Sequence, residues 1–319
     1  MKKLLKILSG LILVAILLVG IGAATIAIRG IPDYEPQKVD LKVEVTPERV
    51  EHGLKLATSL CIICHTPIDG NQLSGRELIE LPKEFGKVYS ANITKDPAHG
   101  IGKWTDGELV YFLRTGVKPN GKYAPIWMPK FKYMSDEDLF SIVAYLRSDH
   151  PTVQPSSAVT IPCEPSFLAK FLCQFAFKPL EYPKGPVNAP DTNDLVAYGK
   201  YMVAGRYDCF PCHSADFKTV NIDEPEKTPG YLGGGNTLLT MEGRKIHSAN
   251  ITPDDETGIG KWDFEQFSDA VRYGKKGDTG LRFPMPPFSR MDDLEIKAIW
   301  AYLHTVPKIS NKVDRNLFD

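Results

Sequence analysis

The chain lacks an excess of either charge. Its 38 Lys and Arg are balanced by 39 Asp and Glu, for a net charge of −1 over 319 residues. That balance gives no support to a nucleic-acid partner or to any partner selected by bulk charge. Cysteine and histidine are scarce, with six and seven residues. No acid–base or nucleophilic constellation is visible among the polar residues, and there is no signalling domain. Disorder is also excluded, because an apolar fraction of 43% is that of a globular protein.

Four of the six cysteines fall into one pattern used twice. Cys61-Ile62-Ile63-Cys64-His65 and Cys209-Phe210-Pro211-Cys212-His213 are both C-x-x-C-H, the attachment signature of c-type haem. Two thiols bond the haem vinyl groups and the following imidazole meets the iron. A zinc site would need a fourth ligand, and no second Cys or His pair sits at finger-like spacing. A thioredoxin-like C-x-x-C would need a βαβ context, which is missing. The expected cofactor is therefore haem c, two per chain. Cys163 and Cys173 have no following His and mark no third haem. In an oxidising compartment they are expected to form a disulfide with each other.

The N-terminus stands apart. Lys2, Lys3 and Lys6 precede an uncharged apolar run from Ile7 to Ile28, closed by Arg29. The length suits a membrane-spanning helix better than the shorter apolar region of a cleaved signal, whose only candidate site is the weak Thr25-Ile26-Ala27. Residues 1–30 are expected to be a membrane anchor, with a signal sequence as the alternative. The lysines predict a cytoplasmic N-terminus. A single pass through the inner membrane then puts the remainder on the periplasmic side.

Beyond the anchor the sequence repeats itself. Ser90-Ala91-Asn92-Ile93-Thr94 returns as Ser248-Ala249-Asn250-Ile251-Thr252, and Gly100-Ile101-Gly102-Lys103-Trp104 as Gly258-Ile259-Gly260-Lys261-Trp262. Met128-Pro129-Lys130-Phe131 returns as Met285-Pro286-Pro287-Phe288. The second copy has about ten extra residues between its haem motif and its Asn, including Gly233-Gly234-Gly235. The expected organisation is one domain over 31–150, a Pro-rich linker over 151–190 and a second domain over 191–319. Capping signals place helices after Thr46, after Thr105 with Glu108, near Ser135, over about Asp194 to Ala204, after Asp263 with Gln266, and near Asp292. Gly53 and Gly199 are expected to admit the close approach of Tyr145 and Tyr302 on the last helix of each copy. The linker's apolar centre, Phe167 to Phe177, is expected to pack across the domain interface, with membrane or partner contact as the alternative.

Each iron takes His65 or His213 as its fifth ligand. Met128 and Met285, matched between copies and each followed by Pro, are the candidates for the sixth. Met134 and Met291 also match, but stand at helix starts where methionine usually packs. Trp104, Trp262, Arg114 and Arg272 offer donors for the haem propionates, and Asn92 and Asn250 could order the same region. His99, His247 and His304 do not repeat.

On these motifs the chain resembles class I cytochromes c. S-A-N-I-T, G-I-G-K-W and M-P-x-F resemble the membrane-bound cytochrome c subunits of bacterial alcohol and gluconate dehydrogenases. The resemblance implies an all-α fold with two tandem class I cytochrome c domains after the transmembrane helix. It also implies axial pairs His65 with Met128 and His213 with Met285. The implied function is electron relay from a membrane dehydrogenase or quinol-oxidising respiratory complex to a soluble cytochrome or terminal oxidase, as a subunit that is not an enzyme by itself. The alternative, a dihaem peroxidase-like enzyme, needs an iron with an exchangeable position, against which the two methionines argue.

Overall fold

The computed structural model describes residues 2–276, 279–280 and 283–317. Helices dominate, and the strands are short two-stranded ribbons. Helix α1 (Lys2–Arg29) buries none of its residues and is long and apolar enough to cross a membrane, a test that a signal sequence also passes.

The first half contains α2 (Pro47–Leu60), α3 (Ile62–His65), α4 (Asp106–Thr115) and α5 (Asp136–Arg147). Each start follows from its cap. Thr46 Oγ1 accepts from Arg49 N, with Pro47 in the first turn. Thr105 and Glu108 form a reciprocal capping box, and Ser135 caps Asp138 N. The second half repeats the plan with α7 (Leu195–Tyr201), α8 (Phe210–His213), α9 (Phe264–Tyr273) and α10 (Asp293–Leu303). Asp263 with Gln266, and Asp292 with Glu295, form its capping boxes. The expected helix up to Ala204 differs in its end: after Tyr201 the turn widens into a π segment, Met202–Arg206.

In both halves the first and last helices cross at a glycine. A Cβ on Gly53 would lie 1.9 Å from Ser141 O, and one on Gly199 would lie 1.9 Å from Ala298 O. The Cβ atoms of Tyr145 and Tyr302 would be only 2.8 and 2.7 Å away. Glycine is required because any side chain would separate the helices. The apolar residues of both halves join in one core, from Leu56 and Ile142 to Met202 and Ile296.

The segment 151–190 does not pack across the interface as expected. It runs back over the first half. Its strand β2 (Glu164–Pro165) pairs with β1 (Gly86–Lys87), and Tyr123 Oη donates to Lys178 O at 3.0 Å. Val187 N reaches Asp136 Oδ2 at 3.0 Å. Its helix α6 (Phe167–Phe175) buries only Ala169 and Cys173. Prolines keep this strap extended, and its backbone polar groups are met by the half it crosses. Cys163 and Cys173 are not bridged. The Cys163 thiol instead pairs with the backbone of Tyr89, while Cys173 is buried in α6.

The halves meet through charged groups. Arg206 donates to Asp138 and to Glu295, Tyr201 Oη also donates to Asp138, and Lys55 binds Asp292 and Glu295.

Candidate haem-binding site

Each C-x-x-C-H lies at the end of its half's first helix. Cys61 closes α2 through Cys61 N to Ala57 O at 2.9 Å, and α3 carries Cys64 and His65 on one short turn. In the second half the π segment ends at Tyr207, Asp208 takes a left-handed φ of 51°, and α8 brings up Cys212 and His213. All four motif thiols are unbridged. Burial pushes Cys61, Cys209 and Cys212 up to about 12 and Cys64 to about 11, so the sulfurs are neutral thiols. Among the described residues no group of three or more His, Cys, Asp or Glu is placed to hold a metal.

The two histidines are held identically. His65 Nδ1 donates to Ala91 O at 2.7 Å, and His213 Nδ1 donates to Ala249 O at 2.9 Å. A carbonyl can only accept, so the proton is fixed on Nδ1 and the lone pair is left on Nε2. Burial holds both imidazoles below their ordinary pKa, in the neutral form that binds iron. The motif thus fits haem: two free thiols beside a buried imidazole of fixed tautomer.

A glycine completes the lock. Gly75 N donates to His65 O at 2.8 Å and Gly234 N to His213 O at 2.7 Å, with φ of +89° and +70°. A Cβ on Gly75 would meet Ser90 O at 2.4 Å, and one on Gly234 would meet the Ala249 carbonyl carbon at 2.4 Å. These glycines carry the chain directly over the carbonyl loop that receives the histidine. Of the Gly-rich stretch in the second copy, the middle residue has this task.

The repeated S-A-N-I-T can be read letter by letter. Ser90 Oγ donates to Cys64 O at 2.6 Å, and its counterpart Ser248 Oγ accepts from Asn236 N at 3.1 Å. The alanine carbonyl takes the histidine. The asparagine is buried and saturated. Asn92 Nδ2 donates to Ser156 O and Ala158 O at 2.8 and 2.9 Å, while its Oδ1 accepts from Thr94 N and Oγ1. Asn250 Nδ2 donates to Thr257 Oγ1 and Ile309 O, and its Oδ1 accepts from Thr252 in the same way. Neither amide has a donor left for a propionate. Each instead ties the histidine-holding loop to the segment after the half's last helix. Ile93 N and Ile251 N dock on Leu73 O and Leu232 O.

Arg114 also differs from expectation. It is buried, and its Nη1 donates to Phe131 O, Lys132 O and Met134 O at 2.7, 3.1 and 2.6 Å, while Nη2 binds Asp136 at 2.6 Å. It clamps the chain after Met128. Arg272 pairs with the equivalent aspartate, Asp293, at 2.5 Å. Both M-P-x-F loops are pinned by their aromatic residue: Phe131 N donates to Leu113 O at 2.9 Å and Phe288 N to Val271 O at 2.8 Å. In the first loop Lys130 Nζ binds Pro125 O at 2.5 Å over the Tyr123 ring, and burial lowers it to about 7. Met128 and Met285 are half-buried in these loops, whereas Met134 and Met291 are buried in the core. Trp104 and Trp262 are half-buried and pack on the same core, with Trp104 edge-on to Phe112.

One feature was invisible to repeat matching. Arg76 Nη2 donates to Ile63 O at 2.8 Å, and Asn236 Nδ2 donates to Pro211 O at 3.0 Å. Both cap the carbonyl before the second motif cysteine, with different residue types. Glu80 holds Arg76 through two oxygens, at 2.5 and 3.0 Å.

No protein-family model matches the chain. Similar proteins do carry names. The chain is 26% identical over 266 residues to the cytochrome c subunit of an alcohol dehydrogenase (quinone) from Gluconacetobacter polyoxogenes, covering 78% of this chain and 54% of that one. It is 29% identical over 274 residues to a fructose dehydrogenase cytochrome subunit from Gluconobacter japonicus, covering 80% and 52%. It is 26% identical over 275 residues to a diheme cytochrome c-type protein from Cereibacter sphaeroides, covering 78% and 82%. The chain therefore spans about half the length of the dehydrogenase subunits it matches. Cytochrome c relatives imply haem c as the cofactor. Over about four fifths of its length the chain resembles the cytochrome c subunits of bacterial alcohol, fructose and gluconate dehydrogenases and a diheme cytochrome c, at 25–29% identity.

Proposed function

We propose that the chain is a membrane-anchored dihaem c-type cytochrome that relays electrons from a dehydrogenase or quinol-oxidising complex to a soluble cytochrome or terminal oxidase. The observation that carries this reading is the duplicated histidine lock: Ala91 O on His65 Nδ1 and Ala249 O on His213 Nδ1, each beside two free thiols. Cys61 and Cys64 would hold one haem by thioether bonds, and Cys209 and Cys212 the other. The haem supplies a one-electron couple when bound. The chain's own residues orient it and exclude competing ligands. His65 and His213 would offer Nε2 to the iron, and Met128 and Met285 would supply its sulfur ligands. A neutral thioether stabilises the reduced state and fills the position a substrate would need.

In this reading 31–150 and 191–319 are two class I cytochrome c domains, and 151–190 belongs with the first. Trp104, Trp262 and Arg272 remain the candidates for the propionate region. Helix α1 crosses the inner membrane once, and both haem domains face the periplasm. The dehydrogenase named in the relatives supports that class of electron donor.

The test joins two measurements on detergent-solubilised protein. Intact mass of denatured chain is expected to include two haems, and a co-purifying dehydrogenase is expected to reduce both irons on substrate addition. A zinc ion, or a chain free of covalent haem, refutes the cofactor. Rapid peroxide binding by the unaltered protein replaces the relay with the peroxidase reading.

A further inference from the structure

Helix α6 leaves an apolar face exposed among the described residues. Phe167, Leu168, Phe171 and Phe175 are 48, 44, 41 and 67% exposed. At 100° per residue these four positions form a stripe about 100° wide. The three phenylalanines stack along it, with centroids 6.4 and 4.9 Å apart. The opposite face, Ala169 and Cys173, is buried against the first half. Ser166 fixes the helix start through its N to Phe85 O at 3.0 Å and its Oγ to Glu84 O at 2.5 Å. The orientation of the stripe is therefore set by the protein beneath it.

The flank of the stripe abuts the end of α1. Lys170 Nζ donates to Ala27 O at 3.2 Å, and Gln174 Nε2 donates to Gly30 O at 2.9 Å. Those carbonyls belong to the last turn of the membrane-length helix and the residue after it. A helix that crosses a bilayer and ends at Arg29 puts that turn at the polar headgroup layer. The phenylalanine stripe, one side chain away, is then at the same depth. Its composition suits that layer: aromatic rings on one face, with Lys170 and Lys178 beside them.

We propose that α6 lies in the lipid interface, with Phe167, Phe171 and Phe175 inserted among the acyl-chain ends and Lys170 and Lys178 at the headgroups. It is a second membrane contact of the first half, which would hold that half against the bilayer instead of leaving it tethered by one strand. The proposal rests on the reading of α1 as an anchor.

The test uses the full chain in vesicles of phosphatidylethanolamine and phosphatidylglycerol. The photoreactive residue benzoyl-phenylalanine replaces, one at a time, Phe171, Phe175, Ile16 of α1 and Val196, which is 41% exposed in the second half. Peptide mass after illumination is expected to show lipid adducts at Phe171, Phe175 and Ile16, and none at Val196. Adducts at Ile16 with none at Phe171 and Phe175 overturn the proposal and leave the anchor intact. Cross-links from Phe171 or Phe175 to a second copy of the chain also overturn it. No adduct at Ile16 removes the anchor reading and the proposal together.

Discussion

Arg206 and Asp138 form a two-point ion pair between the halves of the chain, with Nε to Oδ2 at 2.7 Å and Nη2 to Oδ1 at 2.9 Å. Both side chains are almost wholly buried. His52 Nε2 lies 2.7 Å from the same carboxylate and Tyr201 donates to it, so every lone pair has a partner. The arginine also reaches Glu295 at 2.8 Å. Parallel or fork-like pairing of this kind fixes geometry as well as charge.

Removing Asp138 leaves Arg206 half-paired in the interior. Asp138→Ala is expected to cost about 3–5 kcal/mol, the range for breaking a buried pair from one side. Denaturant unfolding at neutral pH checks it. Burial opposes ionisation of this carboxyl, but His52, Arg206 and Tyr201 outweigh it and hold the pKa at about 2, against an ordinary 3.8. The folded pKa is depressed, so the contribution is complete above about pH 4 and lost as pH falls toward 2. Its size is about 2 kcal/mol. Asp138→Asn should flatten that part of the acid decline, as followed by unfolding at pH 4 and below.

Gly75→Ala and Gly234→Ala test the histidine lock. The new methyl would meet backbone at 2.4 Å, at a φ that disfavours any side chain. Strain of this backbone type costs about 1–2 kcal/mol before the clash is counted. Each variant is expected to lose more than that in thermal unfolding. Each should also perturb the visible spectrum of its own haem only, because the displaced loop carries Ala91 O or Ala249 O.

The two methionine pairs should part company. Met134→Ala deletes a fully buried side chain and is expected to cost about 2–5 kcal/mol with the haem spectrum intact. Met128→Ala and Met285→Ala should each remove the weak ferric charge-transfer band of sulfur ligation, lower one potential and admit carbon monoxide. A band that survives both changes and disappears in Met134→Ala or Met291→Ala reverses the ligand assignment.

Arg114→Leu should act on that ligand from a distance. It strips three carbonyls and Asp136 of a buried donor, an expected loss of about 3 kcal/mol or more. It should also speed carbon monoxide binding at the first haem, since the chain after Met128 loses its clamp. Asp293→Ala, on the exposed pair of the second half, should change little in either measurement.

Much of this was legible beforehand because it is written in side chains. Thr105 with Glu108 and Asp263 with Gln266 announce helix starts by local hydrogen bonding, and the structure places helices after them. Gly53 and Gly199 repeat, and both admit a neighbouring helix. What escaped the sequence is carried by backbone atoms or by unlike residues. Ala91 O has no letter of its own. Arg76 and Asn236 do the same work with different chemistry, so a search for repeated residues passes over them. Arg114 and Asn92 were legible as positions and not as roles, because a polar side chain aimed at a cofactor and one aimed at a carbonyl look alike in a sequence. The carboxylates Asp138 and Glu295 stand at matching places on the last helix of each half, but Arg206, which joins them, has no counterpart in the first half, and repetition gives no hint of it.

The saturated asparagines set where the polypeptide can be cut. Asn92 binds Ser156 O and Ala158 O, and Asp136 binds Val187, so an expression fragment ending at residue 150 would leave the first histidine's loop unsecured. The contacts that secure the first half run on to residue 187. For the second half, Asn250 and Asn311 impose the same demand: Ile309 O and the Asn311 amide close the loop, and a stop codon before residue 311 would remove the fastener. As the chain emerges, neither histidine can be locked until its tail has followed, some sixty residues after the loop it secures (158 − 92 and 309 − 250).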